Sequence, residues 1–110
     1  MNTEFMINNQ IWTIEFTDNN NSKLLRSDGS RTVGMTDGNM RTVYLAESLS
    51  GAFLERVLAH ELCHCICFSY DISIPIEQEE FLADWVSLYG REVIDVLDNL
   101  ISQVILKKYA

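Results

Sequence analysis

The segment from Phe53 to Phe68 is apolar on nearly all sides, yet it holds both histidines of the 110-residue chain, His60 and His64, four positions apart. A run of that length and composition reads as one buried helix, with Ser48 or Ser50 available as its cap. Residues four apart on a helix project from the same face, so both imidazoles can aim at one ion. Glu61 is turned by about 100° from His60 and can reach a water at that ion rather than the ion itself. His60-Glu61-Leu62-Cys63-His64 is therefore an HExxH motif in the helical setting that its chemistry needs. Shuffling this composition would produce the pattern roughly 0.15% of the time, so accident explains it poorly. Burial of two imidazoles and a carboxylate with nothing to bind explains it poorly too, because each would need its own hydrogen-bond partners among apolar neighbours.

Ahead of this helix the pattern is different. Ile11 to Thr17 is rich in β-branched and aromatic residues and ends in the polar run Asp18-Asn19-Asn20-Asn21-Ser22. The turn clusters Ser27-Asp28-Gly29-Ser30 and Asp37-Gly38-Asn39 flank Arg31 to Thr36, and Met40 to Ala46 is a further β-rich stretch. Two successive hairpins account for this economically. Behind the helix, Pro75 suits a first helical turn, and Glu77 to Tyr89 predicts a second helix ended near Gly90. From Arg91, the residues Val93, Ile94, Val96, Leu97, Leu100, Ile101, Val104 and Ile105 recur at spacings of three and four, predicting a third, amphipathic helix. The expected fold is α+β: a small N-terminal antiparallel sheet of three or four strands followed by three helices, in a single domain over residues 1–110. The terminal stripe is expected to pack on that domain in a monomer, or else to join two copies as a homodimer.

A formal charge of −8 leaves no basic stripe for phosphates, which disfavours nucleic acid and anionic membrane surfaces as partners. No stretch approaches the 18 or so apolar residues of a membrane span, and the amino terminus lacks a basic region followed by a long apolar one. A cytoplasmic location is expected. Cys63, Cys65 and Cys67 are too few and too crowded for a disulfide framework, and as small buried thiols they suit a reducing compartment.

A hydrolytic zinc site needs a third protein ligand, and the chain has no third histidine. Glu77, Glu79 and Glu80 are the downstream candidates, although acidic residues also favour the first turn of any helix. Glu80 and Asp84 are four apart and share a face that can point at the HExxH helix, while Phe81, Trp85 and Leu88 are expected to point to the core. That makes Glu80 the expected ligand and Asp84 an expected acceptor from the far ring N–H of His60 or His64. Glu79 is the reserve ligand and Glu77 a surface charge. Cys67 lies about 10.5 Å along the helix axis from His60, an awkward distance for a shared ion.

HELCH followed by an E-x-x-x-D helix resembles the gluzincin arrangement. More closely, Thr36-Asp37-Gly38-Asn39-Met40-Arg41-Thr42-Val43-Tyr44-Leu45-Ala46, a Ser-rich cap and Leu58-Ala59-His60-Glu61-Leu62-Cys63-His64 are similar to the small zincin-like metallopeptidases of bacteriophages and bacterial mobile elements, relatives of the ImmA/IrrE group. The likeness spans about Val33 to Tyr89; cysteine at Cys63 and Cys65 departs from the usual apolar or small residues. The resemblance implies a minimal zincin-like fold and an edge strand around Arg41 to Ala46 that an extended substrate can join. The expected function is a zinc-dependent metallopeptidase acting on a protein or peptide, with His60, His64 and Glu80 as ligands and Glu61 as general base. Tyr44, Tyr70, Tyr89 or a backbone N–H remain open as oxyanion stabilisers. The competing expectation is a non-catalytic, metal-bearing regulatory protein that binds a host protein. A purely structural zinc is disfavoured because such sites usually take four ligands.

Overall fold

Asn8 and Asn9 both adopt left-handed backbone, with φ of 50° and 61°, as a two-residue primed turn demands and asparagine tolerates. They fold β1 (Thr3–Ile7) against β2 (Gln10–Thr17) as an antiparallel hairpin in the computed structural model, which describes residues 3–109. A short 3-10 turn over Ser22–Leu24 follows, and then a second antiparallel hairpin of β3 (Gly34–Asp37) and β4 (Thr42–Ala46). The hairpins join through β2 and β4, which run parallel, with Ile14 opposite Val43 and Phe16 opposite Leu45.

The strand order β1-β2-β4-β3 therefore makes a four-stranded mixed sheet, not the antiparallel one expected. Turn residues encode each hairpin locally, whereas the pairing between hairpins is long-range and leaves no local signature. The same order overturns the expected edge strand at Arg41 to Ala46. β4 is internal and every one of its residues is buried; β3 is the edge beside the helices.

One face of the sheet is covered by α1 (Gly51–Ser69), whose N-cap is Ser50, without a side-chain capping bond. The core between them holds Trp12, Leu24, Val43, Leu45 and Cys65, all essentially inaccessible to solvent. Trp12 shows why an indole can sit there: its Nε1–H donates to Ser69 Oγ at 2.8 Å, satisfying the one polar atom of an otherwise apolar ring. Asn8 Nδ2 donates to Ser69 O at 3.0 Å, fastening the first hairpin to the end of α1. That end is closed by Asp71 at φ 53° and by a 2.9 Å bond from the Ile72 N–H to Cys67 O, a Schellman-type stop.

Beyond Pro75 the expected second and third helices are one. α2 runs unbroken over Ile76–Tyr109, 34 residues, so the described residues hold two α-helices rather than three. Gly90 ends a helix only where it takes a left-handed conformation; here its φ stays negative and the chain continues. α2 lies antiparallel to α1, as three pairs show: Glu55 with Arg91, His60 with Asp84 and His64 with Glu79. Every described residue from Arg91 onward is exposed, so the terminal stripe does not pack on its own domain. Phe81, Trp85 and Leu88, expected in the core, are 72%, 41% and 49% exposed. Only Ala83 of α2 is buried. Among the described residues no helix is long and apolar enough to cross a membrane.

Candidate metal centre

Three elements build the centre. α1 carries His60, Glu61 and His64 on successive turns, α2 brings Glu79, Glu80 and Asp84 up against them, and β3 closes the side behind Glu61. The approach of β3 depends on Gly34. A Cβ at Gly34 would stand 2.7 Å from Val57 Cγ1 and 3.2 Å from both Glu61 Cγ and Oε2, so any side chain there would drive strand and helix apart. Further along, Gly38 lies directly against the Phe68 ring.

The inward nitrogens converge. His60 Nε2 and His64 Nε2 are 3.3 Å apart, and the two Glu80 oxygens face them at 3.2 Å and 2.9 Å. The outward nitrogens are braced: His60 Nδ1 lies 2.9 Å from Asp84 Oδ1 and His64 Nδ1 lies 2.7 Å from Glu79 Oε2. Donation from each Nδ1–H to its carboxylate fixes the tautomer and leaves both Nε2 lone pairs pointing at the Glu80 oxygens. Acceptor then faces acceptor, a repulsive arrangement until a cation lies among them.

The donor set suits zinc. Donors about 2.0 to 2.1 Å from a tetrahedral zinc stand about 3.3 Å from each other, which is the separation of the two Nε2 atoms. His60, His64 and Glu80 each offer an atom within 4.8 Å of the others. Three protein donors leave a fourth position for a reactant, and the His60 side chain, 20% exposed, borders open space.

Glu61 does not join this cluster. It is 6% exposed, and its Oε1 accepts from Thr36 Oγ1 at 2.9 Å. Burial pushes its carboxyl above the ordinary Glu value; the Thr36 hydrogen bond and the two imidazoles pull the other way. A bound dication would add to that pull. A carboxylate with its affinity for protons raised and one oxygen held by a hydroxyl is a candidate general base.

The sequence-predicted ligands His60, His64 and Glu80 thus lie together, with Asp84 behind His60. Glu79, expected as reserve ligand, instead braces the second histidine. Thr36 carries no functional expectation from sequence. Its signal was faint, since a threonine in a strand is unremarkable until the strand's neighbour is known. Glu77 is exposed and outside the cluster. The thiols of Cys65 and Cys67 are pushed up to about 12, chiefly by burial, and Cys63 is also raised. None of the three sulphurs is among the converging donors.

The cluster lies in a cavity of about 590 Å³ between β3, α1 and α2. Compared with protein-family models, curated proteins and solved structures, the chain matches none.

Proposed function

We propose that the chain is a zinc-dependent metallopeptidase of the zincin-like kind, acting on a protein or peptide in the cytoplasm. One observation carries the reading: two imidazole nitrogens and a carboxylate converge at tetrahedral-zinc spacing while a separate, buried carboxylate, Glu61, stands beside them. His60, His64 and Glu80 would hold the zinc, which when bound would supply Lewis acidity to a water and to the scissile carbonyl. Glu61 would take a proton from a water in the cavity as that oxygen attacks the carbonyl carbon. It then delivers the proton to the nitrogen as the C–N bond breaks, so a carboxylate and an amine leave and Glu61 returns to its starting state. Thr36 holds the Glu61 oxygen in place, and Glu79 and Asp84 hold the imidazoles. The open edge of β3, beside the cavity, is where an extended substrate can lie.

A second reading, a metal-bearing regulatory protein that binds a host protein and cleaves nothing, is favoured by the exposed apolar length of α2. Glu61→Gln separates the two. The peptidase reading expects peptide cleavage by the zinc-loaded protein to fall at least about 100-fold in this variant while zinc content is kept. A binding protein would show no cleavage in either form.

A further inference from the structure

His60, His64 and Glu80 lie midway along the cavity, and only the end that holds Phe53 also carries arginines. Along α1 the wall runs Phe53, Arg56, His60, His64 and Phe68. Arg56, His60 and His64 are spaced by four and share one stripe, so Arg56 leaves the helix about 6 Å along its axis before the first histidine. Across from it, Arg26 lines the same end. It is positioned by the turn that precedes β3, through its backbone bond to Ser30 O at 2.8 Å and its Nη2 bond to Thr32 Oγ1 at 3.3 Å. At the opposite end stand Phe68 and Ile76, 51% and 63% exposed.

Two arginines line one cavity in a chain of net charge −8; Arg26 is balanced in part by Asp28 of its own turn, whereas Arg56 has no such partner, and together they can take an anion. Among the described residues neither forms an ion pair within 4 Å; the carboxylate next to Arg56, Glu55, reaches Arg91 instead at 3.1 Å. The acidic side chains of the centre are already engaged: Glu61 by Thr36, Glu79 and Asp84 by the Nδ1 atoms, Glu80 by both Nε2 atoms. Guanidinium stays charged at any working pH and pairs best with a planar carboxylate.

We infer that the cavity selects an extended peptide carrying an acidic side chain at the Arg26–Arg56 end and an apolar side chain at the Phe68–Ile76 end. This rests on the peptidase reading of the centre between them. The spacing follows from geometry. Arg56 and Phe68 are about 18 Å apart along α1, which an extended strand at about 3.3 Å per residue crosses in five or six residues.

The test uses zinc-loaded Glu61→Gln protein and fluorescent, amidated, Ala-based decapeptides holding one Leu and, four to six residues from it, one Glu, Gln or Lys. Amidation removes the terminal carboxylate as a competing anion. The Glu peptide is expected to bind about fivefold or more tightly than the Gln peptide, the sum of two rim contacts, with a gap that narrows in salt. Arg26→Glu with Arg56→Glu should turn the preference toward Lys at unchanged zinc content. Equal affinity for Glu and Gln peptides, no detectable binding of either, or a Glu preference that survives in the double variant overturns the inference. Failure of zinc-loaded wild-type protein to cleave any peptide overturns the peptidase reading alone, since the binding comparison does not require hydrolysis.

Discussion

Glu61 is the residue on which sequence and environment act most visibly together. Its place after His60 turns it away from the ligand stripe, and β3 then shuts it off from water, leaving Thr36 as its partner. Because burial raises its folded pKa above the unfolded value, Glu61 contributes stability while protonated. That contribution is fully present below the unfolded pKa and is lost as pH rises through the folded one. Metal-free Glu61→Gln, which keeps the shape without the charge, is therefore expected to melt at a higher temperature than metal-free wild type at pH 7, with the difference vanishing near pH 4. A lower melting temperature for the variant at pH 7 would contradict the assigned burial effect. That His60 and His64 converge was legible in the sequence because i, i+4 geometry is local, and the placing of Glu80 and Asp84 against them followed from the same rule. The brace on His64 was not: whether Glu79 or Glu80 faces inward depends on how α2 is rotated against α1, and no local periodicity encodes that rotation.

At the scale of elements, the closeness of β3 to α1 decides whether Glu61 is buried at all. Gly34→Ala is expected to cost about 1–3 kcal/mol, the usual penalty for overpacking, since its Cβ would meet Val57 and Glu61. Urea unfolding of the metal-free variant measures this, and an unchanged midpoint would show that strand and helix have slack between them. The β and helical halves of the chain were legible from period alone, but the burial expected along the whole of α1 holds only for part of it, since Phe53, Ile66 and Phe68 are 56%, 40% and 51% exposed. Two features were not legible. Parallel pairing of β2 with β4 arises from contacts distant in sequence, and Gly90 carries a helix-stop signal that only its backbone conformation can realise.

For the whole molecule, the outstanding feature is the free length of α2. Beyond the Arg91–Glu55 ion pair every residue from Glu92 to Tyr109 is exposed, and the longest dimension of the molecule is 58 Å against 31 Å and 28 Å for the others. Most of the stability of a helix in a protein comes from packing its amphipathic face, and here Val93, Leu97, Leu100, Ile101 and Val104 line an apolar stripe at 43–55% exposure. A second copy offers the same stripe at equal concentration, so two chains are expected to pair through it as an isologous dimer. Sedimentation of wild type should give the dimer mass at micromolar concentration, and Leu97→Glu with Leu100→Glu the monomer mass with zinc content unchanged; a monomeric wild type would contradict this pairing. The metal centre lies apart from that stripe, and its occupancy tests the central claim most directly. Zinc per chain, measured on purified protein by elemental mass spectrometry, is expected to be about one. It should fall to background in His60→Ala, His64→Ala and Glu80→Ala, while Asp84→Ala and Glu79→Ala bind about 10 to 100-fold more weakly. Full zinc occupancy in the His60→Ala, His64→Ala double variant, or none in the wild type after zinc loading, would contradict it.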